Sequence, residues 1–190
     1  MTARAPVFVA LVHHPVRARD GSIITTSITN LDVHDIARTA RTYGIARYFI
    51  VTPIEAQRAL VEHILGYWRD GDGARRVPER GEALARVEAV DSIDRVLERI
   101  GPSAMVLTTA ARSGYVSTDY AAAARALASE PHRPALLLFG TGYGLADSVV
   151  EHATMHLAPV RPGNDYNHLA VRSAVAIVLD RLFGDSGAER

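Results

Sequence analysis

Two stretches of this sequence gather residues that could do chemistry. The first is Gly140-Thr141-Gly142-Tyr143-Gly144-Leu145, directly after the apolar run Ala135-Leu136-Leu137-Leu138-Phe139. Glycines at a strand-to-helix turn let backbone approach a ligand closely, and free amides there favour anionic or nucleotide groups. The second is Asp32-Val33-His34-Asp35-Ile36-Ala37-Arg38-Thr39-Ala40-Arg41. In a helix, His34, Arg38 and Arg41 fall at i, i+4 and i+7 and share one face. A proton acceptor there would be Asp32, His34 or Asp35. Arg38 stays charged at ordinary pH, so it suits a polariser or phosphate contact. The same residues also allow a plain Asp35–Arg38 ion pair on a wet face.

Composition narrows the chemistry. All 21 Lys-plus-Arg positions of this 190-residue chain are Arg, and Cys is absent. That removes Schiff-base and P-loop lysines, thiolate nucleophiles, thiolate zinc sites and disulfides. Acidic residues also number 21, for a net charge of zero, which argues against strong non-specific phosphate binding. The first 47 residues nevertheless hold six Arg against three Asp. The glycine loop is spaced GxGxG and not GxGxxG, and Asp165 sits in a Pro/Gly loop, so a dinucleotide fold and an oxidoreductase fit poorly. His152 and His156 lack a third ligand, and no metal site is expected. His13-His14 reads as a polar strand end. Arg172, on an otherwise apolar segment, suits either a subunit interface or a reach into the site.

These residues need elements to hold them. The runs Pro6–Val12, Arg47–Thr52, Val87–Val90, Ala104–Thr109, Ala135–Phe139 and Met155–Ala158 read as buried strands. Helical spacing follows most of them: Val33, Ile36, Ala37 and Ala40, then a stripe of Leu60, Val61, Ile64, Leu65 and Trp68, then segments 92–100 and 117–129. Asp20-Gly21 marks a turn, and a short extended piece lies within 22–29. Residues 69–80 are polar and glycine-containing and read as a mobile loop, whose Arg75, Arg76 and Arg80 suit either a contact with a nucleic acid or, offset by Asp70, Asp72 and Glu79, plain solvation. Non-alternating apolar strands separated by helices predict an α/β fold with a mostly parallel sheet and helices on both faces. The final segment, about 168–183, is apolar on nearly every side, which predicts a homodimer through that helix. No run is long enough to span a bilayer, and a soluble cytoplasmic protein is expected.

The sequence resembles the SPOUT (alpha/beta-knot) RNA methyltransferases. In them a strand ends in a Phe-Gly turn with a following Gly-Leu pair, matched by Phe139-Gly140 and Gly144-Leu145. A later Pro and Asn enter the terminal helix, matched by Pro159 and Asn167. Residues 32–44 are similar to the first motif of the ribose-methylating branch, matching at Arg38, Thr39, Ala40 and Gly44. Asp32 and His34 replace its Asn and first Gly. Thr141 stands where an acid is common, and Asp165 where a Ser is common.

The resemblance implies one domain over 1–190 with a trefoil knot across about 104–183. It implies S-adenosylmethionine as cofactor and tRNA or rRNA as substrate, methylated at a base nitrogen or a ribose 2′-oxygen. It places the cofactor on three loops. These carry Thr108, Thr109 and Ala110; then Phe139, Gly140, Thr141, Gly142, Gly144 and Leu145; then Leu157, Pro159, Tyr166, Asn167, His168 and Leu169. Asp32, His34, Asp35 and Arg38 would serve catalysis. The altered motif positions also allow a non-catalytic RNA-binding module on the same fold. A methyl displacement needs proximity, orientation and a proton path, which Arg, Asp, His and backbone can supply without Lys or Cys.

Overall fold

A computed structural model describes residues 5–109, 115–160 and 168–184. The chain opens with β1 (Val7–Val12), whose alternate side chains enter different cores. Val7, Val9 and Leu11 pack on one face of the sheet, Ala10 and Val12 on the other, as the period-two geometry of a strand requires. A small antiparallel pair, β2 (Val16–Arg17) and β3 (Ile23–Ile24), follows. Then come α1 (Asn30–Thr42), β4 (Arg47–Val51) and α2 (Glu55–Arg69). Two short helices, α3 (Asp72–Arg76) and α4 (Pro78–Leu84), lead to β5 (Val87–Val90) and α5 (Ile93–Ile100). The second half runs β6 (Met105–Thr109), α6 (Tyr120–Ser129), β7 (Ala135–Gly140), α7 (Asp147–Val150), β8 (Met155–Leu157) and α8 (Val171–Phe183).

Six strands form one sheet in the order β5-β4-β1-β7-β6-β8, and every adjacent pair is parallel. One face packs against α1, α2, α4, α6 and α8 through Ile36, Leu65, Leu84, Leu127 and Leu179. The other is covered by α5 and α7 through Val96 and Val150. The expected mostly parallel α/β sheet with helices on both faces is therefore present. From β1 the chain builds outward through β4 to β5. It then crosses to β6 on the other side and fills the gap with β7. Strand order reverses at the β1–β7 pair, and in open α/β sheets such a reversal leaves a crevice beyond the strand C-termini.

Three details differ from the sequence reading. Residues 69–80 are not a loop throughout: α3 and the start of α4 lie within them. Pro78 occupies the first turn of α4, where its missing N–H costs nothing, and Ala83 and Leu84 anchor that helix in the core. Polarity marked the outer faces of these short helices, not an absence of helix. Trp68 is only half-buried, because α4 covers one side of it and leaves the other open. Leu60, assigned to the same buried stripe, is 48% exposed. On α8, Val175, Val178, Leu179 and Leu182 are buried, while Val171, Ala174 and Ile177 remain half-exposed. No helix among the described residues is long and apolar enough to cross a membrane.

Candidate active site

The crevice at the strand reversal is a cleft of about 930 Å³. Its floor comes from strand ends: His13 after β1, Thr109 closing β6, Phe139 and Gly140 closing β7, and Ala158 after β8. Its walls are the glycine loop, the β2–β3 segment, the first turn of α1 and the entry to α8.

The glycine loop is shaped by close approach. A Cβ on Gly140 would sit 2.5 Å from the Leu145 nitrogen, and Gly142 has φ +59° with the Arg17 carbonyl oxygen 3.0 Å from where its Cβ would be. Larger residues would clash at the first position and be strained at the second. Much of the loop's own polarity is already engaged. The Thr141 N–H donates to the Val12 carbonyl, that of Tyr143 to Arg17, and that of Gly144 to Thr141. The loop is thus stitched to the β1–β2 connection. It offers a ligand a close-packed backbone surface more than a row of free donors.

Behind it runs a polar chain. The Thr141 hydroxyl donates to the Val12 carbonyl at 3.1 Å. Thr26 Oγ1 must then donate to Thr141 Oγ1, 2.5 Å away, and the His13 Nδ1–H must donate to Thr26 at 2.9 Å. A carbonyl only accepts, so it fixes the direction of every bond in the chain. The chain thus puts a hydrogen on His13 Nδ1, while Nε2 is buried with no partner, a setting that favours the neutral ring with its lone pair on Nε2. Burial lowers its pKa to about 4, against an opposing pull from Asp32.

Asp32 is the acid of the cleft. Thr29 caps α1 by accepting from the Asp32 N–H, and its hydroxyl donates to Asp32 Oδ2 at 2.6 Å. That arrangement locks one carboxylate oxygen and leaves Oδ1 buried without a hydrogen bond. Arg172 of α8 stands 3.6 Å from Asp32 Oδ1, and its Nε lies 3.7 Å from Asp35 Oδ2. Arg172, which the sequence left between two roles, thus ties α8 to α1 at the rim of the cleft.

Among residues expected to hold a cofactor, Thr109, Phe139, Gly140, Thr141, Gly142, Gly144, Leu145, Pro159, His168 and Leu169 line this one cleft. Thr108 and Leu157 do not. Thr108 is buried beneath it, hydrogen-bonded to His156 Nδ1 at 2.9 Å, and Leu157 is core. Ala110, Tyr166 and Asn167 lie outside the described residues. Of the four residues expected in catalysis, only Asp32 lines the cleft. His34, Asp35 and Arg38 line a separate groove on the far side of α1. At about 100° per residue, positions 34 and 38 project well away from position 32, with position 35 between them. The Asp35–Arg38 ion pair does not form; Asp35 pairs with Arg172. Sequence reasoning missed His13 as a cleft residue, together with Arg17, Arg19 and Tyr143. Only the position of His13 at the end of an apolar strand could have pointed to it. Among the described residues no group of three His, Asp or Glu could hold a metal.

A parallel sheet whose strand order reverses beside a glycine-bordered cleft defines the open α/β class of protein, in which ligands bind at that reversal. A sequence profile described as SAM-dependent RNA methyltransferase matches residues 6–184, and the chain belongs to that family, within the SPOUT RNA methyltransferases. It is 43% identical over 183 residues to a tRNA (guanine-N(1)-)-methyltransferase of Nitratidesulfovibrio vulgaris, covering 94% of this chain and 42% of that protein. The chain therefore spans about two fifths of that relative's length. An uncharacterised Aquifex aeolicus protein is 40% identical over 181 residues, covering 93% of this chain and 88% of its own. The solved structure of an A. aeolicus TrmH/SpoU tRNA modifying enzyme superposes with a TM-score of 0.57 at 15% identity, over 95% of this chain and 75% of that one. That likeness shows the fold.

The cleft residues fit S-adenosylmethionine, the cofactor of the family. Its volume lies within the range of about 300–1,000 Å³ usual for small-molecule sites. The close-packed backbone of the glycine loop forms one wall, and apolar walls from Leu145, Val150 and Leu169 accompany the polar ones.

Proposed function

We propose that this chain transfers a methyl group from S-adenosylmethionine to a nucleotide of tRNA or rRNA. The observation that carries the reading is the placement of Asp32, one oxygen of which accepts no hydrogen bond and faces only the Arg172 guanidinium, in the same cleft as the glycine loop. When bound, the cofactor supplies a methyl group on a sulfonium, which leaves without metal assistance. Phe139, Gly140, Gly142, Leu145, Pro159 and Leu169 would hold it.

Asp32 is the proton acceptor in this proposal, ahead of His34 and Asp35, because it alone of the three faces the cleft. Thr29 fixes its orientation and Arg172 stands beside its other oxygen. Arg38 acts from the adjacent groove as a phosphate contact. The acceptor is a base nitrogen or a ribose 2′-oxygen. The guanine N1 in the name of the Nitratidesulfovibrio relative belongs to a protein of which this chain covers 42%, so it attaches to no residue here.

The trefoil knot over about 104–183 belongs to the same proposal, supported by the SPOUT resemblance and by β8 pairing with β6 outside β7. So do a single domain over 1–190, a homodimer through the half-exposed face of α8, and a cytoplasmic location. One observation favours a second reading, a non-catalytic RNA-binding module. The Thr141 hydroxyl, where relatives often place an acid, is tied to the Val12 carbonyl and is not free to act on substrate.

Mass spectrometry of RNA nucleosides, with and without the protein, tests the enzyme. A methylated nucleoside that appears only with protein and S-adenosylmethionine is expected. Calorimetry that shows no S-adenosylmethionine binding would favour the RNA-binding module.

A further inference from the structure

The groove on the far side of α1 has a construction that methyl transfer leaves unexplained. It measures about 570 Å³ and is walled by α1, α2 and α4. Trp68 is its centre. The Arg80 guanidinium carbon lies 5.2 Å from the centroid of the Trp68 ring. His34 and Tyr67 meet that ring edge-on at 5.5 and 5.4 Å. Tyr67 is 48% exposed, so the aromatic surface opens to solvent.

Its polar groups are underused. Arg80 Nε and His34 Nδ1 are buried without hydrogen-bond partners. Among the described residues neither Arg38 nor Arg80 has a carboxylate partner. The one acid in the wall, Asp35, is paired with Arg172. Burial and the nearby Arg80 and Arg38 lower the His34 pKa, with Asp35 opposing, so its ring is a neutral hydrogen-bonding edge at pH 7.

Unpaired guanidinium groups beside an open aromatic surface match a single-stranded nucleotide. The base stacks on the π-faces while the phosphate meets the cations. The groove is separate from the cleft but lies next to it, since Arg172 at the cleft rim contacts both Asp35 of the groove and Asp32 of the cleft. We propose that this groove binds an unpaired RNA nucleotide flanking the one methylated, with its base against Tyr67 and Trp68 and its phosphate on Arg80 and Arg38. This rests on the reading of RNA as substrate.

Trp68 is the only tryptophan in the chain, so its emission reports on this groove alone. The test titrates the protein with a short single-stranded oligoadenylate and with bulk tRNA, following fluorescence and, in parallel, filter retention. Emission should be quenched in step with retention. Arg80→Gln and Tyr67→Ala should each weaken oligoadenylate binding about tenfold with S-adenosylmethionine affinity unchanged, which also shows that the variants fold. RNA retained with unaltered emission, or both variants binding RNA as the parent does, overturns this inference and leaves the RNA reading standing. Retention of neither probe overturns both.

Discussion

On one side of α1 the cleft is a backbone structure. Glycines without Cβ, strand ends and a capped helix start make its surface, and most loop amides already bond within the protein. On the other side the groove is a side-chain structure of Trp68, Tyr67, Arg80, Arg38 and His34, projected from three helices. A backbone surface is costly to alter and fixes one ligand in one pose. A side-chain surface adapts, and losing one contact weakens it by degrees. The two differ as a reaction chamber differs from a handhold, and substitutions on either side should separate turnover from affinity.

The largest effect belongs to the cleft. Asp32→Asn keeps the cap to Thr29 but loses the proton acceptor. Methyl transfer should fall about 10²–10⁴-fold while calorimetry finds S-adenosylmethionine binding intact. Radiolabelled methyl transfer to tRNA at parental rate would break the assignment. Arg38→Ala should instead raise KM for RNA about tenfold by removing one phosphate contact, with kcat altered far less. Steady-state kinetics that show a collapse of kcat would move Arg38 from the groove into the chemistry.

The pH dependence of stability sharpens the contrast without substrate. Burial holds His13 of the folded protein at a pKa of about 4, below its ordinary value of 6.5. Between those values the unfolded chain binds the proton and the native one resists it, so acid favours unfolding. Stability should fall as pH drops from about 6.5 towards 4, by up to roughly 3 kcal/mol. Thermal unfolding of His13→Asn across that range should lack this component. The smallest effect is at Tyr48, which is wholly buried on β4 with a hydroxyl that has no partner. Tyr48→Phe should raise stability by about 1 kcal/mol in urea melts, because it removes a desolvated polar atom that bonds to nothing.

The parallel sheet and the glycine loop were legible because they depend on local pattern. Apolar runs such as Ala135–Phe139 bury both faces, and Gly140 to Leu145 ends such a run. Asp32 was legible as a candidate, but its separation from Arg38 was not. A shared helix suggests a shared site, and only the packing of α8 against one face and α4 against the other divides them. His13 and Arg172 acquire their roles from partners 13 and 140 positions away, Thr26 and Asp32. Trp68 read as core because its spacing fits the buried stripe of α2. Its exposure is set by α4, in a segment whose polarity concealed the helix.

Strand β7 has a consequence for synthesis on the ribosome. It is the seam between a half-sheet already emerged, β5-β4-β1, and the later pair β6-β8. The cleft draws on positions from His13 to Val178. A nascent chain lacking β7 has two unjoined edges, and one lacking α8 has an Asp32 with no Arg172 beside it. Cofactor capture thus comes only after almost every element is made. Bound S-adenosylmethionine then serves as a certificate that the sheet and α8 have been joined, absent from every intermediate in which they are apart.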